Sequence, residues 1–363
     1  MSTKRYVGLM SGTSLDGIDT VLCQIDAQGC YLEEAYFLPF DQTLKGEILE
    51  MIEGQTTLQE VGRVDVALAK LFAQSVEGLL DQAGIPATKV SAIGSHGQTL
   101  WHEPKGKFPF SMQLGNPSVL AVESGIDVVA DFRAKDIALG GQGAPFAPVF
   151  HHALFGHIPQ CGVLNIGGMA NLSVFEPLLI GYDVGCGNVL MDLWINEVKG
   201  EPFDRDGAWA ASGEVHQALL SKLLEDHYFK LNFPKSTGRE YFNKSFLRKY
   251  LEQFAKIASE DIQATLLAVT AHAIANEIKK FDIKRVLVCG GGAKNTHLMS
   301  TLSHLLPDVD VDTTEREGVS SDNIEAMIFA WLAHKRLRQE PIALKTVTGA
   351  KKNTILGGIY ASD

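Results

Sequence analysis

The chain has 363 residues, 45% of them hydrophobic, and a formal net charge of −11, a length with room for two domains and a composition ordinary for a globular protein. The acidic balance excludes a nucleic-acid footprint, so any phosphate site has to be built locally rather than by a global field. Five cysteines, Cys23, Cys30, Cys161, Cys186 and Cys289, lack paired Cys-x-x-Cys spacing, which argues against a zinc or redox centre and suits a reducing cytoplasm.

In chain order, β-prone runs are predicted over residues 6–9, 20–25 and 31–37. Between the first two lies Met10-Ser11-Gly12-Thr13-Ser14-Leu15-Asp16-Gly17-Ile18-Asp19. Its glycines let backbone N–H groups converge on an anion, and Ser11, Thr13 and Ser14 add hydroxyl donors, so the segment is a candidate phosphate-holding hairpin. Asp16 and Asp19 are candidate holders of Mg²⁺ through water, since that ion takes oxygen ligands and keeps part of its hydration. No Gly-Lys-Ser/Thr follows and the next element is a strand, which excludes a Walker loop. A polar β-turn without ligand uses the same residues. No charged-then-apolar leader precedes Tyr6 and no apolar run has the length to cross a bilayer, so a cytoplasmic location is expected.

Helical spacing covers residues 58–83, and 90–93 reads as a short buried strand ending in the polar turn Gly94-Ser95-His96-Gly97-Gln98. A strand over 126–131 precedes the glycine-rich tract 140–145, read as a hinge or lobe crossing. The expected division is a first lobe of residues 1–130, completed by 346–363, and a second lobe of 131–345. Strands at 162–166, 172–175 and 179–182 enclose Gly167-Gly168-Met169-Ala170-Asn171, which repeats the opening architecture. A helix over 262–278, a strand over 285–288, the run Gly290-Gly291-Gly292 and a helix over 298–306 follow. The triple glycine permits close backbone approach to a flat or charged ligand, or simply tight packing. The last helix, 324–337, places Ile324, Met327, Ile328, Trp331 and Leu332 on one core-facing side.

Three glycine turns in this order resemble the ATPase core of the actin, hexokinase and sugar-kinase superfamily. The strings Gly8-Leu9-Met10-Ser11-Gly12-Thr13-Ser14-Leu15-Asp16-Gly17-Ile18-Asp19, Gly94-Ser95-His96-Gly97-Gln98-Thr99, Asp131-Phe132-Arg133, Asn165-Ile166-Gly167-Gly168-Met169-Ala170-Asn171 and Asp183-Val184-Gly185-Cys186-Gly187-Asn188 are together similar to the anhydro-N-acetylmuramic acid kinase family. The resemblance implies an α/β, two-lobed, actin-like (ribonuclease H-like) ATPase fold with a central interlobe cleft. It also implies a reaction of murein recycling, in which ATP phosphorylates O6 of 1,6-anhydro-N-acetylmuramic acid as water opens the anhydro bridge, with Mg²⁺ as the metal. By the same resemblance, Gly12, Thr13, Ser14, Leu15, Asp16, Gly17, Ile18, Asp19, Asn165, Gly167, Gly168, Gly290 and Gly291 hold the nucleotide.

Asp183, closing a β run before a glycine turn, is the expected base; the alternative is a cap for the helix near Asn188. His96, Arg133 and Glu325 are the expected sugar contacts. Arg133 suits the substrate's carboxylate through its planar fork, or else pairs with Asp131 or Asp136. Glu325 also fits a capping box with Asp322. Lys235-Ser236-Thr237-Gly238-Arg239-Glu240 reads equally as a phosphate contact or a solvated loop. The aromatic content permits a homodimer. Two other functions use the same core: phosphorylation of another sugar or small acid, and an actin-like or chaperone-like ATPase switch.

Overall fold

A computed structural model describes residues 3–12, 15–254 and 256–363. They form two compact units, Met1–Leu154 with Asn323–Asp363, and Phe155–Asp322. The division thus falls after Leu154 and before Asn323 rather than at 131 and 346. No helix among the described residues is long and apolar enough to cross a membrane.

In the first unit, β1 (Lys4–Ser11), β2 (Gly17–Ile25), β3 (Cys30–Pro39), β4 (Val90–Glu103), β5 (Phe110–Leu114) and β6 (Val128–Ala130) form one sheet, joined at its edge by a C-terminal strand. Its path runs β3-β2-β1-β4-β6; β2 is antiparallel to both neighbours, while β1, β4 and β6 run parallel. The second unit contains β7 (Cys161–Ile166), β8 (Met169–Val174), β9 (Ile180–Cys186), β10 (Arg285–Cys289) and β11 (Asp310–Thr313), in the path β9-β8-β7-β10-β11. There β8 is antiparallel and β7, β10 and β11 are parallel. The same order and directions, 3-2-1-4-5 with the second strand reversed, occur twice. This bears out the ribonuclease H-like α/β class and the internal repetition of the opening hairpin. The edge strand β12 (Gly358–Tyr360) pairs with β6 and lies within the first unit.

Local chemistry explains the elements that were legible. The helix Leu58–Ala83 starts in a capping box, Thr57 with Glu60, and stops at left-handed Gly84. Its buried Val64, Leu68, Phe72, Val76 and Leu79 recur at helical spacing and enter the first unit's core. In the second unit the helix Ser259–Ile278 is buried on nearly every side, with Leu266, Val269, Ala273 and Ile274 in the core.

Three readings are corrected. Residues 94–98 are not a turn: β4 continues to Glu103, with Gly97 at φ +73 and a register shift between Leu9/Ser95 and Ser11/Gln98. A bulge re-aims side chains without ending the strand. The tract 140–145 is not the crossing between units. It lies inside the first unit and is tied down by Gly143 N–H to Asp136 Oδ2 (2.8 Å) and Gln142 N–H to the Thr348 carbonyl (3.1 Å). The helix Ile324–Leu337 belongs to the first unit and is buried beyond its predicted face, including Ala326, Phe329, Ala330 and Ala333.

That last burial has a sequence cause in β1 and β4. A Cβ at Gly8 would stand 2.1 Å from the Ala326 carbonyl oxygen, and one at Gly94 would stand 1.9 Å from that of Phe329. The glycines let the helix backbone lie directly on the sheet. Gly94→Ala is therefore expected to destabilise the protein by about 3 kcal/mol, the upper end for overpacking. The check is a lower denaturant midpoint at unchanged m-value; an unshifted midpoint would contradict the close contact.

Candidate active site

In the first unit the β1–β2 hairpin is formed around Leu15, which takes φ +54 and donates its N–H to the Gly12 carbonyl at 3.3 Å. Thr13 and Ser14, two of the expected hydroxyl donors, lie outside the described residues. Ser11 Oγ is engaged within the protein, donating to Gln98 Oε1 at 2.6 Å. Leu15 and Ile18 bury their side chains in the core, so only their backbone is available to a nucleotide. Gly17 is required by packing, since a Cβ there would stand 2.4 Å from the Leu38 carbonyl oxygen. Asp16 is exposed and pairs with Lys45 at 3.2 Å, and Asp19 is half-buried on β2 opposite Met10. Both supply the hard oxygen donors that Mg²⁺ takes. No group of three or more His, Cys, Asp or Glu side chains placed to hold a metal ion occurs among the described residues.

Also in this unit, β4 and the helix Phe132–Ala138 bring His96 and Arg133 together. Arg133 donates from Nε (3.2 Å) and Nη2 (2.8 Å) to His96 Nε2 and from Nη1 to the Gly143 carbonyl (3.0 Å). Its guanidinium also lies 5.7 Å from the Phe146 ring centroid. Asp131 and Asp136 are not its partners: Asp131 accepts from the Tyr360 hydroxyl, and Asp136 accepts from Gly143 N–H and Thr348 Oγ1. No described carboxylate forms an ion pair with Arg133, and burial pulls its pKa down to about 10, which leaves it a cation at neutral pH. His96 is buried against Phe329, ring centroids 4.8 Å apart. Burial first, and the Arg133 charge second, lower its pKa to about 3. The imidazole is therefore neutral, with Nε2 as an acceptor committed to Arg133. Glu325 is exposed in the first turn of the helix Ile324–Leu337, whose N-cap position is taken by Asn323 without a side-chain capping bond.

In the second unit the β7–β8 hairpin rests on the start of the helix Val189–Lys199. The Gly168 carbonyl accepts from Gly187 and Val189 N–H (2.9 and 3.1 Å), and the Gly167 carbonyl accepts from Asn188 N–H (2.9 Å). The glycines divide by the space beside them. Nothing lies within 4 Å of a Cβ built on Gly168, and the nearest atom at Gly291 is Asn188 Nδ2 at 4.0 Å. Gly290, at φ +80, would place a Cβ 2.3 Å from Asn165 Oδ1, and Gly292 would place one 2.4 Å from Ile166 Cγ2. Gly290 and Gly292 thus allow β10 to close on β7, while Gly168 and Gly291 face open space. A cavity of about 520 Å³, lined in part by Asn188, Asp192, Arg205, Gly291 and Lys294, opens beside Gly291. Asp192 there is driven up to about pKa 7, chiefly by burial.

Asp183 sits on β9, paired in register with Asn171 of β8. Its Oδ1 accepts from Asn171 Nδ2, and its Oδ2 accepts from Ser236 Oγ and Thr237 N–H, each at 2.9 Å. Asn188 takes the N-cap position of the helix Val189–Lys199, without a side-chain capping bond, so Asp183 is not its cap. Burial raises the Asp183 pKa; the Thr237, Ser236 and Asn171 donors oppose that rise, and nearby Glu240 adds to it. A carboxylate offers about four lone-pair directions, and three donors leave one, on Oδ1. That is the arrangement a general base requires, a fixed carboxylate with one acceptor position open.

The hydrogen bonds of Asn171, Ser236 and Thr237 to Asp183 were not anticipated. Asn171 carried a signal, being the far end of the second glycine turn, two-residue periodicity away from facing Asp183. Ser236 and Thr237 lay in a segment read as a phosphate contact or a solvated loop, and nothing in the sequence tied them to Asp183, 53 and 54 residues earlier in the chain.

A family model described as anhydro-N-acetylmuramic acid kinase matches residues 4–362. The chain is 55% identical over 362 residues to the anhydro-N-acetylmuramic acid kinase of Sulfurovum sp. (strain NBC37-1), covering 99% of this chain and 100% of the relative. It is 49% identical over 363 residues to that of Sulfurimonas denitrificans (strain ATCC 33889 / DSM 1251), covering 98% and 99%. Among solved structures, a ROK family glucokinase from Streptomyces griseus in complex with glucose and AMPPNP is similar at 12% identity and a TM-score of 0.42, covering 91% of this chain and 98% of that one.

Proposed function

The chain belongs to the anhydro-N-acetylmuramic acid kinase family, and we infer from that premise which of its groups do the work. Its reaction is the ATP-dependent opening of the 1,6-anhydro bridge of 1,6-anhydro-N-acetylmuramic acid with phosphorylation of O6, giving N-acetylmuramate 6-phosphate and ADP in cell-wall recycling. The chemistry asks for one base to take a proton from the water that attacks C1. It does not ask for a second carboxyl group as acid, because the γ-phosphoryl group captures O6 as the C1–O6 bond breaks.

Asp183 is the base in this reading. The observation that carries it is the three-donor cradle that fixes the carboxylate and leaves one Oδ1 direction for water. Arg133 binds the lactyl carboxylate of the sugar, supported by a buried guanidinium whose protein partners are all neutral. His96 acts through Arg133, orienting the fork rather than touching the sugar. Glu325, exposed at its helix start, is retained as a sugar contact on the strength of the resemblance.

ATP is held by the open faces of Gly168 and Gly291, with Gly167 beside them and Asn165 and Gly290 closing the backbone beneath; the resemblance adds Gly12 and residues 15–19 of the first hairpin. The adenosine takes the cavity beside Gly291. Mg²⁺, held through water by Asp16 and Asp19, would neutralise charge on the transferring phosphate. A cytoplasmic location belongs to this reading on the strength of the resemblance, and five buried cysteines outside any disulfide suit it.

The experiment that tests the reaction is turnover in ¹⁸O-labelled water with anhydro-sugar and ATP. The product is expected to gain the mass of one water and one phosphoryl group, with label only at C1. Phosphorylation of an intact ring, or label on phosphate, would overturn it.

A further inference from the structure

We propose that residues 235–237 form a strap that positions the Asp183 carboxylate, and that the buried ion pair between Lys235 and Glu277 anchors this strap. The proposal rests on the reading of Asp183 as the base.

The segment around Lys235 has no regular secondary structure, so its path is set by whatever grips it. Phe233 before it and Ser236 after it are exposed, yet the Lys235 side chain is 2% exposed and meets Glu277 Oε1, itself 4% exposed, at 2.7 Å. Burying an ammonium is costly and seldom stabilises a fold relative to an apolar side chain, so its value lies in specifying position. Glu277 projects from the helix Ser259–Ile278, a rigid core element. Its other oxygen accepts from the Tyr182 hydroxyl (3.0 Å) and pairs with Lys280 (2.7 Å). Tyr182 is the chain neighbour of Asp183, so one carboxylate holds both the strand that bears the base and the loop that faces it.

The grip on Asp183 then comes from three sides. The Lys235 carbonyl accepts from Asp183 N–H at 3.2 Å. Ser236 Oγ and Thr237 N–H donate to Oδ2. The Tyr228 hydroxyl donates to the Asp183 carbonyl at 2.7 Å, and its ring lies 5.0 Å from the Lys235 ammonium. The segment singled out as a phosphate contact or a solvated loop is neither at Lys235: the ammonium points into the core.

The charge acting directly on Asp183 is Glu240 of the same loop; behind it stand Lys235 and, just past the helix end, Lys280, both paired with Glu277, and the Tyr182 and Tyr228 hydroxyls, whose pKa values burial raises, remain neutral. Removing Lys235 and Glu277 together leaves the sum of these charges unchanged, which isolates placement of the donors from bulk electrostatics. The sign follows from the donors. Hydrogen bonds to Oδ2 favour the ionised base, so loosening the strap raises its pKa and moves the acid limb of kcat to higher pH.

The test is kcat against pH for Lys235→Met/Glu277→Gln and for the exposed Ser236→Ala, with KM for ATP and a thermal melt for each. Ser236→Ala is expected to move the acid limb up by about 0.5 unit and the double variant by about 1 unit or more, with KM for ATP within about twofold and kcat below the limb reduced about tenfold. If the double variant fails to fold, Lys235→Gln/Glu277→Gln, whose two amides keep a polar contact and leave the net charge unchanged, is expected to shift the limb in the same direction by a smaller step. A folded variant of the pair with an unmoved limb, or an unmoved limb in Ser236→Ala, would overturn the strap. Failure of the base itself shows elsewhere: an active Asp183→Asn enzyme would end that reading whatever the strap variants do.

Discussion

Asp183→Asn is expected to lose turnover by about 10²–10⁴-fold, the range a positioned general base supplies, while ATP binding is almost unchanged. The amide keeps the shape of the carboxylate and can still accept on its oxygen, but it cannot take a proton from water. The change is nearly isosteric, and Asp183 is half-buried among Asn171, Ser236 and Thr237 rather than packed on apolar side chains, so the fold should survive it. ADP release with anhydro-sugar present, set beside a nucleotide-binding isotherm, measures both halves of the expectation. Full activity would remove Asp183 from the chemistry; lost nucleotide binding with lost activity would make its role structural.

The second large effect is expected at Arg133. Arg133→Ala should lower kcat/KM for the anhydro-sugar by about 10²–10³-fold, since removing one partner of a desolvated charge pair costs several kcal/mol. The loss should appear mainly as a higher sugar KM. Arg133→Lys should not restore it, because a point charge cannot replace the fork that spans His96 Nε2, the Gly143 carbonyl and the ligand. A substrate whose lactyl carboxylate is converted to an amide supplies the control: wild type and Arg133→Ala should handle it about equally. An Arg133→Ala enzyme that still prefers the acid over the amide as wild type does would assign carboxylate recognition to another group. His96 contributes here only through Arg133, since a neutral, buried imidazole with Nε2 already accepting offers no donor there to the sugar.

Much of the architecture was legible because it rests on local chemistry. The helix over 58–83 carries its own capping box and glycine stop, and the helix over 324–337 its own apolar periodicity. The strands of both hairpins showed as β-prone runs broken by glycine. The boundaries between units were not legible in the same way. The helix Ile324–Leu337 joins the first unit because Gly8 and Gly94, more than 200 residues upstream, leave room for its backbone. The glycine tract at 140–145 looked like a crossing because composition records freedom of φ and ψ, not the Asp136 and Thr348 bonds that remove that freedom.

The sequence by itself determined the strands of both hairpins, the long helices over 58–83, 262–278 and 324–337, the repeated glycine turns and the family, and through the family the reaction. Tertiary structure alone decided the working state of the polar groups: that Asp183 is held by Asn171, Ser236 and Thr237, that His96 is neutral and spent on Arg133, and that Lys235 is an interior anchor. The physical reason is range. Helix and turn propensities act over three or four neighbouring residues, whereas desolvation and hydrogen bonding depend on which atoms folding brings within about 3 Å, and those came from positions 12, 37, 42 and 54 residues apart.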